Sequence, residues 1–132
     1  MPLRKCSNRK MENSTHTVGV EGENRACAYL IQNNYSIIER NFRTRTGEID
    51  IIAIKDDVLI FVEVKTLPSG NVETLAQEID LRKQKKIIKT AYFFLSKYRK
   101  YNNSKIRFDV IVIDMPDFPP VYHIIDAFSE YV

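Results

Sequence analysis

The spacing of apolar residues along the chain predicts two helices and five strands. Apolar positions recur every three or four residues in two stretches, whereas five others hold short alternating or apolar runs rich in β-branched and aromatic residues. In order, the predicted elements are a helix at 18–33, strands at 37–46, 48–54 and 58–65, a helix at 80–98, and strands at 107–114 and 121–125. The order α-β-β-β-α-β-β is typical of an α/β fold in which a mixed sheet is flanked by helices.

Two segments lack such a pattern. Residues 1–17 are polar and include several basic side chains, so we expect a flexible basic tail that ends at Thr17, a candidate helix cap. Residues 66–78 contain Pro, Ser and Gly near their start, which is typical of a loop, and the pattern after them predicts no clear element. The remaining residues, 18–132, are enough for one domain.

The composition excludes several classes of protein. Hydrophobic residues make up 44% and charged residues 28% of the chain, which excludes collagen-like, low-complexity and wholly disordered proteins. No segment approaches the roughly 20 apolar residues of a membrane helix, and the basic start lacks the apolar stretch of a secretory signal. We therefore expect a cytoplasmic protein without a membrane partner.

Positive charge is concentrated in one segment. Residues 81–107 contain half of the 20 Lys and Arg residues and none of the 17 acids. Such a block favours a polyanionic partner, of which nucleic acid is the commonest in a cytoplasm. The alternative is a solvated helix face, and charge alone does not separate the two.

The chemistry is expected on the predicted hairpin. A turn at Asp56-Asp57 places Asp50 opposite Glu63 and Glu48 opposite Lys65, all on one face. Directly opposed side chains start about 5 Å apart, where two carboxylates repel unless a cation lies between them. Asp50 and Glu63 are thus candidate ligands for a hard divalent cation such as Mg²⁺.

Lys65 points to the same face as Glu63, because the two residues are separated by one position. Its ammonium group could orient or deprotonate a water and stabilise charge that develops on a phosphate. The alternative is structural: Lys65 forms an ion pair with Glu48, and Asp50 is solvated at a sheet edge.

The first helix adds a third acid. Glu23 lies on the apolar face of this helix, where a carboxylate is costly unless it is paired or binds a metal. It is therefore either a functional acid or the partner of a basic residue such as Arg43 or Lys65. Gly19 and Gly22, in the same helix, would allow another element to approach the backbone closely.

The combined motifs resemble the YraN-like family, small bacterial proteins related to the archaeal Holliday junction resolvases within the PD-(D/E)xK nuclease superfamily. The likeness covers about residues 19–128. The motifs that carry it are Gly-Val-Glu-Gly-Glu at 19–23, Asn-Phe-Arg at 41–43, Gly-Glu-Ile-Asp at 47–50, Phe-Val-Glu-Val-Lys at 61–65, Arg-Phe-Asp-Val at 107–110 and the stretch 123–128.

The resemblance implies a restriction-endonuclease-like fold and a role for each matching residue. Asp50, Glu63 and Lys65 would be the nuclease triad, and Glu23 the extra acid of resolvase-like relatives. Asp50, Glu63 and the Val64 carbonyl would bind Mg²⁺ or Mn²⁺. Arg43, Lys83 and Lys86 would contact nucleic acid. The chain departs from the family at Thr66 and Leu67, where an Arg is usual.

These observations favour a metal-dependent endonuclease that acts on branched or otherwise non-canonical DNA. The alternative is a non-catalytic nucleic-acid-binding module of the same fold that acts in DNA repair or processing. A purely structural protein, whose basic helix binds an acidic partner, is a third interpretation. Resolvase-like enzymes are typically dimers, so a homodimer is expected, with Val121, Tyr122 and Ile124 as interface candidates or ordinary core residues.

Overall fold

The structure, a computed structural model, describes residues 15–130, which form five strands and three helices around one sheet. The elements are α1 (Thr15–Gln32), β1 (Ser36–Thr44), β2 (Gly47–Lys55), β3 (Val58–Thr66), α2 (Val72–Glu78), α3 (Leu81–Lys97), a 3₁₀ turn (Arg99–Tyr101), β4 (Lys105–Ile113) and β5 (Val121–Phe128). Spatial order follows chain order, β1-β2-β3-β4-β5. Only the β3–β4 pairing is parallel, so the predicted mixed sheet with flanking helices is confirmed.

Each face of the sheet is covered by one long helix. On one face, Ala26, Cys27 and Leu30 of α1 pack with a cluster that includes Ile51 and Val62. On the other face, Ile87, Ala91 and Phe94 of α3 pack with a cluster that includes Phe61 and Phe108. Burial on both faces explains why the central strands read as nearly continuous apolar runs.

The β2–β3 hairpin has the predicted register. Asp56 and Asp57 both have positive φ, 51° and 63°, as a two-residue type I′ turn requires. The strands pair from Lys55 opposite Val58 to Ile51 opposite Val62, which is the register that directs Asp50 toward Glu63.

Two element boundaries differ from the prediction. Helix α1 begins at Thr15, so Thr17, expected as a cap, lies inside the helix and is buried. Thr15 and His16 of the expected tail are helical as well, and residues 1–14 lie outside the described residues. Helix α2 was missed because only Leu75 of its seven residues is buried, which leaves no periodic signal. A capping box holds its start, in which Asn71 Oδ1 accepts a 2.9 Å hydrogen bond from the Thr74 N–H.

Helix α1 approaches the sheet closely at one of its two glycines. A Cβ at Gly22 would overlap Thr66 Oγ1 and lie 3.6 Å from a side-chain carbon of Ile113, whereas a Cβ at Gly19 would meet nothing within 4 Å. The expected close approach is therefore confirmed at Gly22 and wrong at Gly19. In residues 15–130, no helix is both long and apolar enough to cross a membrane.

The interface candidates on β5 belong to the core. Val121, Tyr122 and Ile124 are half-buried and pack against the two apolar clusters. Their contacts therefore follow the ordinary core interpretation, and the homodimer stays a prediction.

Candidate functional site

Asp50 and Glu63 lie where the pairing of β2 and β3 ends. The paired register stops at Ile51 opposite Val62, and one residue further Asp50 Oδ2 accepts a 2.8 Å hydrogen bond from the Val64 backbone N–H. Both acids are buried, with 7% of Asp50 and 4% of Glu63 exposed. The expectation of a solvated Asp50, which belonged to the structural alternative, is therefore wrong.

The neighbouring Glu63 affects the protonation of Asp50. Burial, together with the hydrogen bond and the charge of Glu63, raises the pKa of Asp50 to about 9, although the Val64 N–H acts in the opposite direction. The pair therefore favours a proton or a cation between its oxygens at neutral pH.

One oxygen of this pair has no hydrogen bond. Glu63 Oε2 is buried and accepts none from any N–H or hydroxyl group in the described part of the chain. Lys83 Nζ, from the first turn of α3, lies 3.3 Å from this oxygen as an ion pair. A buried carboxylate oxygen without a hydrogen bond has capacity for a further ligand.

Lys65 is half-buried on β3, opposite Val112 of β4, and the strand alternation gives it the same face as Glu63. The structural alternative paired it with Glu48, but Glu48 Oε2 accepts a 2.8 Å hydrogen bond from Arg43 Nε. Within residues 15–130 no carboxylate lies in salt-bridge range of Lys65, so its ammonium group is available to a ligand.

Glu23 joins the acidic cluster from α1. Its partner is Arg40, whose Nη2 lies 3.8 Å from Glu23 Oε1, and the expected partners Arg43 and Lys65 are wrong. Burial raises the pKa of Glu23 most, Arg40 opposes it, and the charges of Glu48 and Glu63 raise it further. Glu23 is thus close enough to the acidic pair to affect its charge.

A cleft of about 590 Å³ opens beside Glu23, and neither Asp50, Glu63 nor Lys65 lines it. Its charged and polar lining consists of His16, Glu23, Arg40, Asn41, Arg43 and Glu48. The cleft gives solvent and ligands access to Glu23, one of the acids expected at the site.

The donor set fits a small hard cation. In the described residues no three His, Cys, Asp or Glu side chains are arranged to hold one metal ion. Mg²⁺, however, is commonly bound through one or two carboxylates and keeps several waters. Asp50 and Glu63 provide two carboxylates, and Glu63 Oε2 accepts no hydrogen bond, although Lys83 forms an ion pair with it. The Val64 carbonyl as a third ligand stays a prediction.

The predicted phosphate-binding residues lie around the same end of the hairpin. The Arg43 side chain is 73% exposed and lines the cleft. Lys86 is exposed on α3, with its Cβ 3.9 Å from the position of a Cβ on Gly47, the first residue of β2 after the β1–β2 turn. Lys83 is the exception, because it contacts Glu63 directly.

The motifs predict no role for a third buried carboxylate, Asp109. It accepts two 2.8 Å hydrogen bonds from Arg107, one of 2.7 Å from His123 Nε2 and one of 3.0 Å from the Asp126 N–H. Tyr29 donates to His123 Nδ1 at 3.2 Å, which extends the network to α1. An acid inside the apolar run of β4 was the available signal, and its saturated hydrogen bonds indicate a structural role.

The structure therefore defines a single-domain α/β protein whose mixed sheet holds a buried Asp–Glu pair just beyond the last paired residues of β2 and β3. The sequence model of the Uncharacterised protein family UPF0102 matches residues 22–113. A UPF0102 protein of Treponema denticola is 43% identical over 125 residues, which cover 86% of this chain and 96% of the relative. A UPF0102 protein of Clostridium botulinum is 40% identical over 121 residues, covering 89% and 98%. The chain belongs to the UPF0102 family, which is the YraN-like family indicated by its motifs.

Proposed function

We propose that this protein is a metal-dependent endonuclease that hydrolyses phosphodiester bonds in DNA, with a restriction-endonuclease-like fold and a cytoplasmic location. The observation that carries the proposal is the buried Asp50–Glu63 pair at the end of the β2–β3 pairing, where the Val64 N–H donates to Asp50 and one Glu63 oxygen accepts no hydrogen bond. Two buried carboxylates that repel each other are best compensated by a divalent cation.

Each residue of the site would have a distinct role in the reaction. Asp50, Glu63 and the Val64 carbonyl would hold Mg²⁺ or Mn²⁺, which when bound makes water a stronger nucleophile and neutralises phosphate charge. Lys65, on the same face as Glu63 and without a salt bridge to any described residue, would orient or deprotonate the attacking water. Its positive charge would also stabilise the developing charge on the phosphate oxygens. Glu23 would act as an additional acid at the cleft.

The basic residues support a nucleic-acid substrate. Arg43 and Lys86 are exposed near the β1–β2 turn, and α3 contributes most of the basic block. Lys and Arg that neutralise phosphates supply most of the affinity of proteins for DNA. The preference for branched DNA rests on the resemblance to Holliday junction resolvases.

The test is cleavage of labelled linear duplex, single strand, flap and four-way junction DNA with Mg²⁺ or Mn²⁺. Matched RNA substrates test the choice of nucleic acid. Lys65→Ala is expected to abolish cleavage while circular dichroism and the melting temperature stay unchanged. Lys105→Ala is the matched control, because Lys105 is an exposed lysine next to Val58 at the opposite end of β3, and it should cleave like the parent.

Three outcomes would contradict the proposal. Cleavage by both the parent and Lys65→Ala would indicate a contaminating nuclease. Binding of DNA without metal-dependent cleavage of any substrate would favour the non-catalytic binding module. Cleavage of RNA alone would support the hydrolysis proposed for the site and contradict DNA as its substrate.

A further inference from the structure

Lys83 contacts the oxygen that is available to a metal. Its Nζ lies 3.3 Å from Glu63 Oε2, the buried atom that accepts no hydrogen bond from the described residues. An ammonium group and a divalent cation would both be attracted to this oxygen and would repel each other there. The two cations therefore compete for Glu63.

The position of Lys83 suits such an exchange. Its backbone N–H donates a 2.9 Å hydrogen bond to Asp80 Oδ1, the cap of α3, so the backbone is fixed in the first helical turn. The side chain is 33% exposed, whereas Glu63 is 4% exposed. Lys83 thus reaches into the site from its solvent side, and its flexible stem can leave without any change in the helix.

The contact of Lys83 with Glu63 is an ion pair without hydrogen-bond geometry, since Glu63 Oε2 has no hydrogen-bond donor in residues 15–130. A point charge on a flexible stem is released more easily than a bidentate pair such as that of Arg107 with Asp109.

We infer that Lys83 is an exchangeable counter-ion of Glu63: a divalent cation displaces its ammonium group, and the released side chain then binds a phosphate of the nucleic acid. The inference rests on the proposed function and adds a coupling between its two ligands. Because Lys83 is occupied by Glu63 until the metal arrives, it would contribute to DNA affinity only when the metal is bound. Coupling of this kind is reciprocal, so DNA would also strengthen metal binding.

The first test is calorimetric titration of Mn²⁺ into the parent, Lys83→Ala, Lys83→Gln and Lys86→Ala. Both Lys83 variants are expected to bind Mn²⁺ about fivefold or more tightly than the parent, the lower end of typical coupling factors. Lys86→Ala removes an exposed lysine one turn further along α3 and controls for the general loss of positive charge. Unchanged or weaker binding in the Lys83 variants would overturn the inference, because Lys83 would then hold Glu63 in place for the metal.

The second test measures DNA affinity in a Lys65→Ala background, which prevents cleavage, with Mn²⁺ and with a chelator. Lys83→Ala should lower the affinity in Mn²⁺ and leave it unchanged in the chelator. Lys86→Ala should lower it equally in both. An equal loss for Lys83→Ala under the two conditions would overturn the inference.

The two proposals fail in different ways. If the parent binds Mn²⁺ and cleaves DNA while Lys83→Ala behaves like the parent, only the counter-ion role is wrong. If only the Lys83 variants bind Mn²⁺, the counter-ion role is supported although the parent is not an active nuclease. If neither the parent nor any Lys83 variant binds Mn²⁺, both proposals are wrong.

Discussion

The Val64 backbone N–H donates a 2.8 Å hydrogen bond to Asp50 Oδ2, so a side chain joins β2 to β3 just beyond their last paired residues. This bond fixes the Asp50 carboxyl group beside Glu63, in a position that is 7% exposed. The cost of holding two acids there is reflected in the raised pKa of Asp50. Stability and the proposed activity therefore oppose each other at this residue.

Asp50→Asn is expected to stabilise the protein in the absence of divalent cations. The Asn oxygen still accepts from Val64, and its amide group can donate to Glu63. Removing a buried acid that lacks a compensating charge should raise the free energy of unfolding at pH 7 by on the order of 1–3 kcal/mol. Urea unfolding with a chelator measures the change.

The pH dependence of stability provides a second test of the role of Asp50. The pKa of Asp50 is about 9 in the folded protein and near 3.8 in the unfolded chain, so the unfolded chain loses this proton first. The contribution of Asp50 to stability is therefore complete below pH 4 and declines as pH rises toward 9. Asp50→Asn should remove that decline and abolish stabilisation by Mn²⁺. Asp57→Asn, in the exposed turn, should resemble the parent in both respects; a less stable Asp50→Asn protein at pH 7 would contradict the prediction.

The hairpin could be predicted because its geometry is local. A two-residue turn determines which residues face each other, and Asp tolerates the positive φ that both turn positions adopt. The burial of Asp50 and Glu63 follows from helices on both faces, which the element order already indicated.

The partner of Glu23 could not be predicted because β1 is irregular. Its register shifts between Ile37 and Glu39, and Asn41 has a φ of 52°. Such irregularities re-aim side chains, so Arg40 meets Glu23 while Arg43 pairs with Glu48. The Asp109 network could not be predicted either, because His123 lies on another strand.

Two glycine substitutions in α1 should have opposite effects. Gly19→Ala adds a methyl group in open space and gains helix propensity, so it should stabilise the protein by up to about 1 kcal/mol. Gly22→Ala forces a Cβ against Thr66 Oγ1 and should destabilise it by about 1–3 kcal/mol. Thermal unfolding of both variants gives the comparison.

A double variant tests the cause of the Gly22 effect. Thr66→Ala removes the overlapping hydroxyl and leaves a Cβ at 3.5 Å, an ordinary contact. Gly22→Ala combined with Thr66→Ala should recover most of the lost stability. If the two costs simply add, the close approach at Thr66 is not the cause.

Of two Arg–Asp ion pairs, Arg107–Asp109 should contribute more to the stability of the protein than Arg25–Asp114. Burial alone would raise the pKa of Asp109, but hydrogen bonds from His123, Arg107 and the Asp126 N–H lower it below its usual value. Asp109→Asn should cost about 3 kcal/mol or more, because it breaks a buried charged network. The control is Asp114→Asn, which removes an exposed pair with Arg25 and should cost about 1 kcal/mol or less.

The lowered pKa also predicts the acid behaviour. Asp109 is deprotonated in the folded protein at pH values where it is already protonated in the unfolded chain. Its contribution is complete above the unfolded pKa near 3.8 and is lost as pH falls through the lower folded pKa. Between pH 6 and pH 2, the free energy of unfolding should therefore fall less steeply with decreasing pH for Asp109→Asn than for the parent. Parallel curves for the variant and the parent would contradict this.

The salt dependence of DNA binding tests the basic surface near the β1–β2 turn. Arg43 and Lys86 are both exposed there, and each that contacts a phosphate contributes about 0.9 to the slope of log affinity against log salt. Arg43→Ala and Lys86→Ala should each weaken binding and reduce the slope by about that amount, independent of DNA sequence. Lys105→Ala, at the other end of β3, carries the same loss of charge and should leave the slope unchanged. Equal reductions in all three variants would indicate that DNA responds to net charge alone.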